Sequence, residues 1–229
     1  MKKYRNEWKY AFPKKVLPIV EDKLHRILEF DDNSNNDGRY IIHNLYFDDY
    51  FDTCALNTER GVSERYKWRI RFYGVDTNYI KLERKEKING MCHKESCSLT
   101  EEEVFKLLNN DIFDLVYDTD KKLLKELIID ILTKGFKPKV IVDYERIAFV
   151  EPITNIRITL DTNITASYDF DRFFDQDYQK IGLYNDTLME VKFDDILPSY
   201  IKSVIESFGF TKVSFSKYYK GRIKMKEVL

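Results

Sequence analysis

The sequence predicts an α+β fold: a closed antiparallel barrel with a charged interior and helices packed on its outside. Three observations lead there. Four separate stretches alternate charged and apolar residues with the period of a β-strand, most clearly Lys67-Trp68-Arg69-Ile70-Arg71-Phe72. Side chains of a strand alternate between faces, so Lys67, Arg69 and Arg71 share one face and Trp68, Ile70 and Phe72 the other. Apolar residues form 43% of the 229, with Tyr and Phe at 16 each, a β-favouring composition large enough for a substantial core. Helix-period segments fall between the strand-like ones, so the apolar strand faces have something to pack under. Helices outside leave the charged faces pointing inward. Small barrels ordinarily fill their bore with apolar side chains; this one is inside out.

The elements follow in order. Arg5-Asn6-Glu7-Trp8-Lys9 opens as a strand, and Met1 to Tyr4 carries no apolar signal region. Pro13 breaks the pattern, and Val16, Leu17, Val20, Leu24, Ile27 and Leu28 predict a helix over 14–29. The Asn- and Asp-rich residues 31–38 predict a turn, and 40–47 a strand. Strands over 65–74 and 78–88 are joined by a hairpin-like connection at 74–78. Thr100 with Glu103 reads as a capping box opening a helix to about Leu108. Asp120 caps the next, which carries Leu123, Leu124, Leu127, Ile128, Ile131 and Leu132 and stops at Gly135. Strands resume over 138–150, 155–168 and 187–193, the last including Leu188-Met189-Glu190-Val191-Lys192, and a final helix from Pro198 to Phe208 ends at Gly209. No repeat, low-complexity tract or linker divides the chain, so residues 1–229 read as one domain.

Several function classes are excluded early. A formal net charge of -1 argues against a nucleic-acid partner. No run of about 18 apolar residues exists, so direct membrane insertion is not expected and a cytoplasmic location is. Cys54, Cys92 and Cys97 are an odd number, which suits reduced thiols. Cys92-His93 with Cys97 invites a metal, but no further ligand cluster accompanies them, so free cysteines on a strand are the reading. No Gly-rich phosphate loop occurs, and His25, His43 and His93 are dispersed, with no Ser/His/Asp arrangement.

Thirteen cations are candidates for the bore: Arg5, Lys9, Lys67, Arg69, Arg71, Lys81, Lys85, Lys87, Lys94, Arg146, Arg157, Lys192 and Lys217. Only Glu7, Glu83, Asp161 and Glu190 oppose them. An enclosed unpaired charge costs several kcal/mol, so such a bore must be hydrated or hold a highly charged anion. Phosphate chains suit it, because Arg offers a planar fork to phosphate oxygens and Lys a mobile point charge. The carboxylates Glu190, Glu83 and Glu7 are then hard oxygen ligands for Mg²⁺ or Mn²⁺. One such strand alone would be a solvated face with ordinary cross-strand pairing; the repetition carries the functional reading.

The matching segments are the Lys9-Tyr10 strand, Arg69-x-Arg71-x-Tyr73-Gly74, the Glu83-x-Lys85 strand, Tyr144-x-Arg146, Arg157-x-Thr159-x-Asp161, Glu190-x-Lys192 and Phe215-Ser216-Lys217-Tyr218. In order and spacing they resemble the VTC domain, the polyphosphate polymerase domain of the vacuolar transporter chaperone complex. That domain belongs to the triphosphate tunnel metalloenzymes, relatives of the CYTH proteins, and the resemblance runs from Arg5 to about Gly221. It implies an eight-stranded antiparallel tunnel that binds a triphosphate, with ATP giving its γ-phosphoryl group to a growing polyphosphate chain. By carry-over Lys9, Arg69, Arg71, Lys85, Lys94, Arg146, Arg157 and Lys217 contact phosphates, Tyr144 and Ser216 assist, and Glu190 holds the metal. Of these, Lys9, Arg69, Arg71, Arg146, Arg157 and Lys217 are taken as catalytic. The charge rows add Lys67 and Lys192 to the substrate-binding set.

Two departures bear on the reaction. Ser214 stands where the polymerases are expected to carry a second basic residue, with Lys212 on the same strand face. Glu7 gives the first strand an acidic-x-Lys pattern closer to the hydrolytic relatives. Polyphosphate synthesis is therefore the expectation, with a triphosphatase acting on inorganic or nucleoside triphosphates as its alternative. A non-catalytic polyphosphate-binding module is the third. A class IV adenylyl cyclase ranks last, since nothing in the sequence suggests an adenine pocket.

Overall fold

The structure, a computed structural model, describes residues 4–31, 38–175 and 177–228. The turn expected over 31–38 therefore lies, but for its ends, outside the described residues, as do Met1 to Lys3. Ten strands form one antiparallel sheet: β1 (Asn6–Phe12), β2 (Glu29–Phe30), β3 (Arg39–Asp48), β4 (Glu64–Tyr73), β5 (Asp76–Ile88), β6 (Met91–Leu99), β7 (Lys137–Glu151), β8 (Ile156–Ser167), β9 (Ile181–Tyr184) and β10 (Thr187–Phe193). Eight follow the path β1-β10-β8-β7-β3-β4-β5-β6, while β2 pairs with β7 and β9 with β8.

The expected closed barrel is a curled sheet with a seam. Among the described residues its end strands β1 and β6 are joined by a single bridge, where the N–H groups of Arg5 and Cys92 bond each other's carbonyls at 2.9 and 3.0 Å. A competing partner occupies the free edge of β1: Val213 N–H donates to the Lys9 carbonyl at 2.9 Å, and Tyr10 bridges Lys212.

The convex face carries the apolar halves of the alternating strands. Among the described residues seven helices accompany the sheet: α1 (Leu17–His25), α2 (Thr53–Glu59), α3 (Glu101–Asn109), α4 (Ile112–Asp118), α5 (Lys122–Lys134), α6 (Ser199–Ser207) and α7 (Lys217–Val228). Trp68, Ile70, Phe72, Ile80 and Leu82 are buried in one core with Val104 and Leu107 of α3 and Leu124 and Leu127 of α5. Ile158, Leu160, Met189 and Val191 form a second core with Val20 and Leu24 of α1 and Ile201 and Ile205 of α6. Burying one such side chain stabilises the fold by about 1.5–3 kcal/mol. Trp68 also donates its indole N–H to Asp130 of α5 at 2.7 Å, which fixes that helix over β4.

Most local signals hold. Thr100 and Glu103 form the reciprocal capping box, and Gly135 ends α5 at a φ of 70°. The helix expected over 14–29 is shorter: a 3₁₀ turn over Lys14–Val16, then α1, with Glu29 already paired to β7 as a strand. Asp120 is not the cap of α5; Lys121 takes that place without a side-chain cap bond. Nor is the stretch through Ser216 and Lys217 a strand, because Lys217 begins α7.

α7 lies on the concave side. Val140 and Val142 share the face of β7 that carries Tyr144 and Arg146, and Gly221 packs on them. Tyr218 donates to Asp48 at 2.5 Å, while Arg222 grips Asp52 at 2.9 and 3.2 Å. The same Asp48 accepts the N–H groups of Cys54 and Ala55 at the start of α2, so one carboxylate ties both helices to β3. A Cβ at Gly221 would lie 3.0 Å from Val142 Cγ2. Gly221→Leu should therefore lower the urea midpoint, at about 1–3 kcal/mol for overpacking. An unchanged midpoint would show that α7 is not seated there.

Candidate active site

The strand register builds the site. Antiparallel pairing sets Lys9 beside Glu190, and Glu190 beside Thr159. It sets Tyr46 beside Arg69, and Arg69 beside Glu83; Lys67 faces Lys85, which faces Lys94. Since partners directly opposite share a face, the charged halves of the strands converge on the concave side. There they enclose a cavity of about 170 Å³.

Twelve of the fifteen residues read from the sequence line this cavity: Glu7, Lys9, Lys67, Arg69, Arg71, Lys85, Tyr144, Arg146, Glu190, Lys192, Ser216 and Lys217. Arg157, Lys94 and Glu83 are not among its walls. Arg157 is held by Asp31 and donates to Tyr40 at 2.9 Å. Lys94 is 49% exposed and pairs at 2.7 Å with Glu83, which is 1% exposed beneath its cations on the same strand face as Arg69. The three glutamates expected to share a metal are thus split, two lining the cavity and one covered by Arg69 and Lys94.

Carboxylates sort the cations into three groups. Lys9 Nζ lies 3.1 Å from Glu7, 3.4 Å from Glu190 and 2.9 Å from the Phe215 carbonyl. Glu7 also meets Lys85 at 2.7 Å, and Glu190 meets Lys192. Asp161 takes Arg146 through Nε and Nη2 at 2.6 and 2.8 Å and Lys217 at 2.5 Å. Glu83 takes Arg69 through Nε and Nη2 at 2.6 and 2.5 Å. Each of these two guanidiniums thus engages one edge and keeps its Nη1 group apart from the pair. Arg71 differs: it donates to Asn44 at 2.8 Å and to the Tyr144 hydroxyl at 2.9 Å, both neutral partners.

The protonation states follow from this crowding. Burial alone would push each carboxyl up. Lys85, Lys9 and Lys192 outweigh burial and Glu190 at Glu7, and Lys192, Lys9 and Lys85 do so at Glu190, so both stay well below the ordinary range. Arg146 and Lys217 hold Asp161 down to about 2 against its burial. Burial also opposes ionisation of Tyr144, but Arg146, Arg71 and Lys217 bring it down to about 8. At Lys67 burial comes first and Lys9, Lys85 and Arg65 add to it, lowering the ammonium to about 7.

Sequence reasoning gave no role to Asn44 and Tyr46, which contact Arg71 and Arg69 from β3. Their signal was the alternation Asn44-Leu45-Tyr46, which is polar but uncharged. Cys92 and Cys97 are free and, five residues apart on β6, fall on opposite faces, so a shared metal is excluded by geometry.

A hard divalent cation fits part of the acid set. Glu7 and Glu190 are ionised, face the cavity and share Lys9, whereas Glu83 is committed elsewhere. No group of three or more potential ligands occurs among the described residues. Mg²⁺ needs no such cage, since it is commonly held by one or two carboxylates together with substrate phosphates.

A curled antiparallel sheet thus brings a cation-lined concave face and buried carboxylates together around the cavity. The chain belongs to the VTC domain family, whose sequence profile matches residues 4–226. Among solved structures, a Hippeastrum protein assigned as an adenylyl cyclase and described as having a dominant triphosphatase activity aligns with a TM-score of 0.58, 17% identity and 96% coverage of each chain. A Bacillus halodurans protein proposed to be an adenylate cyclase aligns at 0.54 and 13% identity, covering 94% of this chain and 95% of that one. At these identities the likeness is one of fold. No curated protein matches the sequence. Among the described residues no helix is long and apolar enough to cross a membrane.

Proposed function

We propose that the chain is a metal-dependent phosphotransferase that extends polyphosphate with the γ-phosphate of ATP. One observation carries this reading: a single cavity combines Arg69, Arg71, Arg146, Lys85 and Lys217 with two ionised carboxylates, Glu7 and Glu190, joined through Lys9. Membership of the VTC domain family supports it.

The chemistry needs no protein nucleophile. A terminal oxygen of the acceptor chain, already anionic, attacks the γ-phosphorus in line. The bond from that phosphorus to the β–γ bridging oxygen breaks, and ADP leaves with the electron pair. Catalysis is positioning and charge stabilisation. Arg69 and Arg146, each steadied by a carboxylate, offer their remaining N–H groups to phosphate oxygens. Arg71, hydrogen-bonded to neutral partners, brings to the same place a charge that is not tied up in an ion pair among the described residues. Lys9, Lys85 and Lys192 exchange a carboxylate oxygen for a phosphate oxygen at little net electrostatic cost. Glu190 and Glu7 are the residues to hold Mg²⁺ or Mn²⁺, which when bound neutralises charge across the phosphates.

Triphosphate hydrolysis is the second reading, favoured by Glu7, which stands in the cavity beside Lys85 and Lys9 where a carboxylate could orient water. The triphosphatase activity described for the Hippeastrum protein agrees with it. The test is γ-labelled ATP with Mn²⁺, products separated by length. A ladder of lengthening chains, absent in Arg69→Ala, identifies a polymerase. Labelled orthophosphate alone identifies a triphosphatase. An unchanged ATP band leaves a polyphosphate-binding module.

A further inference from the structure

We propose that Lys67 is the anion-sensing residue of the cavity: an incoming condensed phosphate replaces Ser216 as its partner, and Lys67 takes up a proton from solvent as the phosphate binds. This rests on the reading of the cavity as a phosphate site and adds a proton to the binding equilibrium.

Six lysines were read as phosphate-binding, and five of them touch a carboxylate: Lys9, Lys85, Lys94, Lys192 and Lys217. Lys67 touches none among the described residues. Its Nζ donates to Ser216 Oγ at 2.9 Å and stands 5.7 Å from the centre of the Tyr218 ring. The groups that act on it most strongly are cationic or neutral; Glu7, Glu190 and Glu86 line the same cavity but pair with Lys9, Lys85, Lys192 and Arg84, not with Lys67. Arg65 lies on its own strand, Lys85 opposite it on β5, Lys9 on β1, Cys54 on α2, and Ser216 and Tyr218 at the start of α7. Burial holds the Cys54 thiol protonated, so it supplies no counter-charge. A hydroxyl partner accepts from either form of the amine and holds the side chain toward the cavity.

In the free protein at pH 8 Lys67 is thus mostly the neutral amine, in keeping with its pKa of about 7. A polyphosphate oxygen at the same position is the missing counter-charge and favours the ammonium. The sign follows: the complex holds a proton that the free protein lacks, so affinity falls as pH rises above 7, by up to about tenfold per pH unit.

The experiment is calorimetric titration of the full chain with sodium tripolyphosphate, chelator present and no divalent metal, at pH 8 in two buffers of different ionisation heat. Wild type should take up roughly one proton more than Lys67→Arg or Lys67→Met, while both variants still bind. Lys67→Arg should also show a shallower affinity decline between pH 7.5 and 9 than wild type, the remainder belonging to ionisation of Tyr144. Should Lys67→Met fail to fold, Lys67→Arg carries the comparison. Equal proton uptake in wild type and Lys67→Arg overturns the proposal while leaving the phosphate site intact. No binding by wild type overturns the phosphate reading itself, and this inference with it.

Discussion

Glu190→Gln should lower turnover by about 10²–10³-fold, the usual loss on removing one preorganised stabiliser of developing charge, while tripolyphosphate binding survives. Gln keeps the shape of Glu190 and one acceptor oxygen, so the strand and its neighbours need not move. Lys9 keeps Glu7 and the Phe215 carbonyl. The loss is a single negative charge in a crowd of cations, which disfavours a divalent metal and, if anything, favours a free anion. Kinetics with Mn²⁺ beside metal-free binding separates the two effects. Turnover within threefold of wild type would remove Glu190 from the metal site.

Asp161→Asn should be the most damaging polar substitution for stability. Asp161 is fully buried and serves both Arg146 and Lys217. Without its charge two cations remain enclosed without the carboxylate that both of them contact, the Tyr144 ring lying 5.2 and 4.5 Å away. Breaking such a buried arrangement costs about 3–5 kcal/mol, or on the order of 10 °C in Tm for a chain of this size. Tripolyphosphate should restore more Tm to this variant than it adds to wild type, since a bound anion replaces the lost charge. The pH dependence has the same origin. Because the Asp161 carboxyl titrates lower in the fold than in the unfolded chain, its contribution is complete above about pH 4. It drains away as pH falls toward about 2. An Asp161→Asn protein within about 1 kcal/mol of wild type would show that the cluster is solvated instead.

Legibility in the sequence followed physical range. Alternation in β4, β5 and β10 is a local property, and it identified both the charged face and the core face. The capping box at Thr100 and the glycine stop at Gly135 are equally local. What escaped was long-range. Asp31 neutralises Arg157 from 126 positions away, and nothing in either neighbourhood announces it. Glu83 resembles Glu190 in its Glu-x-Lys context, yet register places Arg69 and Lys94 upon it and removes it from the cavity. α7 was missed because Lys217 to Val228 is too polar to show a full apolar stripe. Its signal was the sparse spacing Tyr218, Gly221, Met225, all buried on one face. α4 was missed for the opposite reason, an aromatic and branched run, Ile112-Phe113-Asp114-Leu115-Val116-Tyr117, that has strand propensity until packing decides.

The seam between β1 and β6 changes what kind of container the protein is. Everywhere else along the wall, neighbouring strands are laced by runs of backbone hydrogen bonds that must fail together. Here two such bonds stand among the described residues, at Arg5 and Cys92, and the Glu7–Lys85 ion pair reaches from β1 past β6 to β5. Parting the wall along this line breaks far fewer bonds than parting it anywhere else. If the cavity takes polyphosphate as proposed, such a guest would not have to be threaded end-first like a cord through a bead; it would have a line along which to be laid in from the side.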